Sequence, residues 1–169
     1  MLRKSGEPAR PLSEWAFSYG RPEPLTHHEV WKLQFQRNVY RGEYNALFKE
    51  RGVDYILCPT YPTVAAVMGE SHYWNYTAIW NVLDLPAAVF PTGLTVDPTL
   101  DALSAEDQAY KPRNETDKRE WLKYQSPARY ENAPVALQLT GRHFKDEETL
   151  AAARVVEDII RDGGKFNKI

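Results

Sequence analysis

The sequence predicts an α/β fold, a partial mixed sheet flanked by helices. Three observations carry that prediction. Short continuous apolar runs at residues 55–58 and 87–90 read as buried strands. Apolar residues at three- and four-residue steps after Thr26 and again from Leu150 to Ile160 read as amphipathic helices. The two kinds of segment alternate along the chain, which is the pattern of helices layered on a sheet.

The first stretch, 1–24, carries Pro8, Pro11, Pro22 and Pro24 with Gly6 and Gly20, a composition that predicts no long regular element. Trp15, Phe17 and Tyr19 alternate within it, and aromatics exposed together are unfavourable unless another surface covers them. Thr26 and Glu29 then form a T-x-x-E capping box. Val30, Leu33, Tyr40, Tyr44, Leu47 and Phe48 follow mostly at helical steps, and the helix is expected to stop near Gly52. Lys49 and Arg51 in its last turn suit the negative end of the helix dipole.

The run Tyr55-Ile56-Leu57-Cys58, closed by Pro59 and Pro62, reads as a strand covered on both faces. Tyr73, Tyr76, Thr77, Trp80 and Leu83 recur at helical spacing before Pro86, which places a helix over 71–81. Ala87 to Phe90 is the second buried strand. Residues 97–132 turn polar, with Pro98, Pro112, Pro127 and many charges, and read as a polar surface insertion with one helical turn at 104–109. Val135, Leu137 and Leu139 alternate with Ala136 and Gln138 as in a third strand with one more polar face, ended by Gly141. Asp146, Glu147 and Glu148 suit the N-terminus of a last helix, whose stripe is Leu150, Ala153, Val156 and Ile160 and whose end is marked by Gly163 and Gly164. Three strands leave edges to protect, and these read as interior ones, so the chain looks like part of a larger sheet whose edges are open to self-association.

Composition narrows the function. The 169 residues carry 21 Lys+Arg against 23 Asp+Glu, a formal net charge of -2, and so lack the clustered positive field that a phosphate backbone requires. No nucleic-acid partner is expected. No run approaches the roughly 20 apolar residues that span a bilayer, and Met1 to Arg10 contains no apolar signal region, so neither membrane nor secretion is indicated. Cys58 is the only cysteine, which excludes an intrachain disulfide and a thiolate cluster and points to a cytoplasmic setting. The sequons at Asn75 and Asn114 would matter only in a secreted protein.

A nucleophile needs a base within reach, and no Ser, Cys or Thr stands in a G-x-S-x-G or S-x-x-K context. There is no Gly-rich phosphate loop and no H-E-x-x-H, so no catalytic residue is assigned in this chain. His27 and His28 are adjacent and point apart, while His72 and His143 stand alone in the sequence, so no metal site is assigned. Cys58 reads as a packed thiol of raised pKa, and Asp146 to Glu148 as acids stabilised by the helix dipole. Asp84, between Leu83 and Leu85, is expected to accept backbone N–H bonds in a turn. The face of Tyr73, Thr77 and Trp80 either packs as core or lines a ligand pocket.

Several of these segments together resemble the amidase-signature enzymes, in the fungal acetamidase-like and general amidase branch. Asp54-Tyr55-Ile56-Leu57-Cys58-Pro59-Thr60 resembles the family's strand ending in Pro, and residues Tyr76 to Ala87 its helix and Asn-to-Pro turn. Residues Pro134 to Arg142 are similar to its late strand, and Asp146-Glu147-Glu148-Thr149-Leu150 to the start of its last helix. Ser5-Gly6-Glu7-Pro8 and Arg37, Tyr40 and Arg41 echo the same branch.

The resemblance implies that residues 1–169 are the C-terminal portion of a single amidase domain built on a large mixed sheet. It implies amide hydrolysis by a Ser-Ser-Lys triad without metal or organic cofactor, in which a lysine acting through a bridging serine activates the nucleophile. In the family, that lysine and the Gly/Ser-rich signature lie N-terminal to the matching region, and neither is in this sequence. The expected activity is therefore that of a fragment, inactive alone, which meets a small-molecule amide only with the N-terminal part present. A non-catalytic binding or regulatory remnant, or one part of a split amidase, is the alternative. By similarity, Thr77 and Trp80 border the substrate pocket.

Overall fold

The structure is a computed structural model and describes residues 5–163. Its elements run α1 (Pro11–Ser18), α2 (His27–Glu50), β1 (Ile56–Pro59), α3 (Asn75–Leu83), β2 (Ala87–Thr95), α4 (Ala105–Gln108), α5 (Glu115–Lys123), a 3-10 turn (Pro127–Tyr130), β3 (Pro134–Thr140) and α6 (Asp146–Arg161).

The capping box forms as the sequence predicts: Thr26 Oγ1 accepts from the Glu29 N–H at 3.3 Å, and Glu29 accepts from the Thr26 N–H at 2.8 Å. At the other end of α2, Gly52 takes φ +61, which lets the Val53 N–H fold back to the Phe48 carbonyl at 3.0 Å. Gly163, at φ +66, follows the end of α6 in the same manner. Gly164 lies outside the described residues.

β3 is the central strand, with β1 and β2 on either side, and both pairings are antiparallel. The pleat sorts the side chains into two faces. Phe90, Leu139 and Ala153 form the core on one of them, joined by Ala88, Leu137, Val156 and Ile160, so α6 covers that face. Gln138 lies on the other and donates to the Tyr76 carbonyl of α3 at 2.7 Å, so α3 covers that one. α2 packs outside α3, its Tyr44 ring edge-on to Trp80 at 6.4 Å.

Four local expectations need correction. The first stretch does hold a helix, α1, because Pro11 stands in the first turn, where its missing N–H has no helical partner to lose. Residues 97–132 hold a second helix, α5, capped by Asn114, whose side chain accepts from the Asp117 N–H at 2.9 Å. α3 begins at Asn75, later than the spacing suggests. Finally, β1 and β2 alternate in burial instead of being covered on both faces: Leu57 is 48% and Val89 61% exposed. The strand buried on both faces over its last residues is β3, where Gln138, Leu139 and Thr140 are all enclosed.

Candidate functional site

Trp80 and Thr77 share α3 but differ in environment. Trp80 is buried at 7% exposure, its indole nitrogen without a hydrogen-bond partner, whereas Thr77 is exposed and its hydroxyl donates to the Trp74 carbonyl at 3.1 Å. Trp80 sits beside Cys58. Burial pushes the Cys58 thiol above its ordinary value, and the neighbouring polar groups of Gln138 and Trp80 oppose that rise without cancelling it. The thiol is half-buried and packs as the sequence suggests.

An open cleft of about 330 Å³ lies where α3 ends, lined by Trp80, Asn81, Asp84, Pro86, His143 and Phe144. The chain turns here through Asp84, held at φ +58, a left-handed conformation that Asp tolerates better than most residues. The turn is closed by the Leu85 N–H bonding the Trp80 carbonyl at 3.0 Å, and Pro86 prevents any continuation of the helix.

Asp84 does not use its carboxylate on backbone N–H groups, contrary to expectation. Its Oδ2 meets Arg41 of α2 at 3.1 Å, because the left-handed turn directs the side chain outward, where it is 62% exposed. His143 from the loop after β3 completes the group. Its Nδ1 lies 2.7 Å from the Asp84 carbonyl oxygen, and the Arg41 guanidinium lies over the ring, 3.1 Å from Nε2 and 3.4 Å from Nδ1. Because a carbonyl only accepts, the Asp84 contact places a proton on Nδ1. The trio joins three elements at one rim, but nothing in it is placed to act as a nucleophile.

A second cleft, of about 620 Å³, opens between the start of α3 and α5, with Tyr73, Tyr76, Tyr110 and Glu120 among its walls. Glu120 is 3% exposed, yet its carboxylate accepts from Lys123 at 2.8 and 2.9 Å and from Tyr61 and Arg119. Burial works to raise its pKa, but those hydrogen bonds outweigh it and hold the carboxyl below the usual carboxylate value. Burial, and then the hydrogen bond to Glu120, push the Tyr61 phenol up. Lys123 also bonds the Glu70 carbonyl at 2.8 Å, and Glu70 pairs with Arg129. This network ties α5 to the segment between β1 and α3.

His27 and His28 are exposed, and among the described residues no group of three or more His, Cys, Asp or Glu is placed to hold a metal ion. Neither the Arg41–Asp84–His143 trio nor the Glu120 network was assigned from the sequence. Arg41 and His143 stand 102 positions apart and Tyr61 and Glu120 59 apart, so no local spacing signals either. In the described residues no helix is long and apolar enough to cross a membrane.

A three-stranded sheet with helices on both faces, open edges and bare apolar side chains is the architecture of one portion of a larger α/β domain. The Amidase family model matches residues 7–150. "Putative amidase C550.07" of Schizosaccharomyces pombe is 45% identical over 152 residues, covering 90% of this chain and 28% of that protein. An acetamidase of Aspergillus oryzae is 32% identical over 165 residues, covering 94% of this chain and 29% of the relative. Among solved structures, a fatty acid amide hydrolase aligns with TM-score 0.85 and 38% identity, over 94% of this chain and 28% of its own. The chain belongs to the amidase family. It spans under a third of the length of these relatives, which agrees with the fragment that the resemblance implied.

Proposed function

We propose that this chain is the C-terminal portion of an enzyme that hydrolyses carboxylic amides through a Ser-Ser-Lys triad, and that it is inactive alone. The observation that carries the reading is the likeness to a fatty acid amide hydrolase over 94% of this chain, set against a sequence in which no nucleophile has an activating context. The missing lysine and Gly/Ser-rich signature belong to the remaining part of such an enzyme.

Within the whole domain, Trp80 supplies an apolar wall of the substrate pocket and Thr77 a hydroxyl at its border, the combination small-molecule sites use. The cytoplasm is the setting that a lone cysteine favours. A second reading, a non-catalytic remnant or one part of a split amidase, is favoured by the core at Phe90, Leu139 and Ala153, which is closed by this chain's own residues. In it the open sheet edges mediate self-association.

A chimera tests the first reading: the S. pombe relative with its matching stretch replaced by this chain. It should release ammonia from simple amides, and Trp80→Ala in it should raise KM for larger acyl groups more than for acetamide. A folded chimera without turnover would refute the reading.

A further inference from the structure

α2 is apolar on two opposite faces. At about 3.6 residues per turn, Arg41, Tyr44 and Phe48 point one way, where Arg41 meets Asp84 and Tyr44 meets Trp80. Trp31, Phe35, Val39, Gly42 and Ala46, spaced by four, four, three and four residues, point the other way. Every residue from 31 to 40 is exposed, with Trp31 at 69%, Phe35 at 68% and Val39 at 46%. A Cβ at Gly42 would meet nothing within 4 Å, so the stripe continues as open space where another backbone can come close. The helix is about 36 Å long, and its first half projects from the layers that its second half joins.

A solvent-facing helix carries one apolar stripe; a second, opposite stripe leaves large aromatics in water unless another layer covers them. The relatives supply that layer's source, since this chain spans only 28% of the S. pombe amidase and 28% of the fatty acid amide hydrolase. We infer that α2 is a two-sided docking arm, and that its outer stripe, Trp31, Phe35, Val39, Gly42 and Ala46, is covered by the remaining part of the amidase domain. The inference rests on the fragment reading above and names the surface by which the two parts join. The partner surface is apolar, with a shallow ridge to enter the gap at Gly42.

Hydroxyl-radical oxidation of Trp31 and Phe35, read by mass spectrometry, tests it in the isolated chain and in the chimera. Oxidation should be rapid in the isolated chain and fall several-fold in the chimera. Equal rates would overturn the inference. So would protection in the isolated chain that disappears on dilution, which would assign the stripe to a second copy. Phe35→Glu with Val39→Glu should leave the isolated chain's melting temperature within about 2 °C while lowering the chimera's by about 5 °C or more. The reverse order would mean that the stripe packs within this chain. A protected stripe in a chimera without turnover would refute the amidase reading and keep the arm; turnover with an unprotected stripe would do the opposite.

Discussion

Gly141 and Thr149 compete for one volume: a Cβ at position 141 would overlap the Thr149 hydroxyl. Thr149 is 1% exposed, and its Oγ1 donates to the carbonyl of Lys145, the N-cap of α6. The glycine that ends β3 therefore does more than permit a turn. It lets the first turn of α6 approach the end of the central strand.

Gly141→Ala should destabilise the chain by about 1–3 kcal/mol through overpacking, and adding Thr149→Ala should recover a large share of that loss. Thermal unfolding of the wild type, both single variants and the double variant measures the coupling. Additive losses would mean that the two positions do not share the volume.

Gln138 joins three elements. Its Nε2 donates to the Pro59 carbonyl of β1 at 2.8 Å and to the Tyr76 carbonyl of α3 at 2.7 Å, with 1% of the residue exposed. Gln138→Leu should cost about 1–3 kcal/mol in urea unfolding, because two carbonyls lose their donor where water does not reach. A neutral result would show that the carbonyls are paired otherwise.

Glu120 makes stability depend on acid. Its folded carboxyl titrates below the ordinary glutamate value of about 4.5, so its contribution is complete above that pH and is lost as pH falls through the folded value. Glu120→Gln should cost about 3 kcal/mol at pH 7, since it strands the Lys123 ammonium, whose side chain is 16% exposed. The variant's deficit should shrink as pH falls below the ordinary carboxylate value, as the wild-type carboxyl protonates. A deficit that stays unchanged all the way down the acid limb would contradict the network.

Asp84 separates backbone from charge. Asp84→Gly relieves the φ of +58 and loses the Arg41 pair, Asp84→Asn keeps tolerance of that φ and loses the charge, and Asp84→Ala loses both. Melting temperatures should place Ala lowest, by about 1–2 kcal/mol relative to wild type, with Asn and Gly between. Ala matching Gly would mean that the turn is not strained.

What the sequence made legible was what periodicity and capping encode. α2 and its Thr26 box, α6, and the positions of the three strands were readable from apolar spacing and turn residues, whereas the covering of β1 and β2 was not, because a short continuous apolar run does not say that one of its faces is left bare. α1 and α5 were not, since Pro11 and the charges of 115–123 look like loop composition unless the cap position is known. The polar side of β3 was legible as alternation, but not that Gln138 would be enclosed, because its partners lie 62 and 79 positions away. The same distance problem hid the Asp84–His143 contact. The family itself was legible in motif order, from residues that fix a strand end, a left-handed turn and a helix start. Thr77 and Trp80 were legible as helix neighbours, yet only Trp80 borders the cleft at the Asp84 turn.

Ammonia release from a simple carboxylic amide, followed side by side for the pure chain and for the chimera, tests the central claim most directly. The account predicts no release above buffer from the chain alone and turnover from the chimera. Turnover by the chain alone would contradict it, because the reaction would then run on residues that this chain already holds.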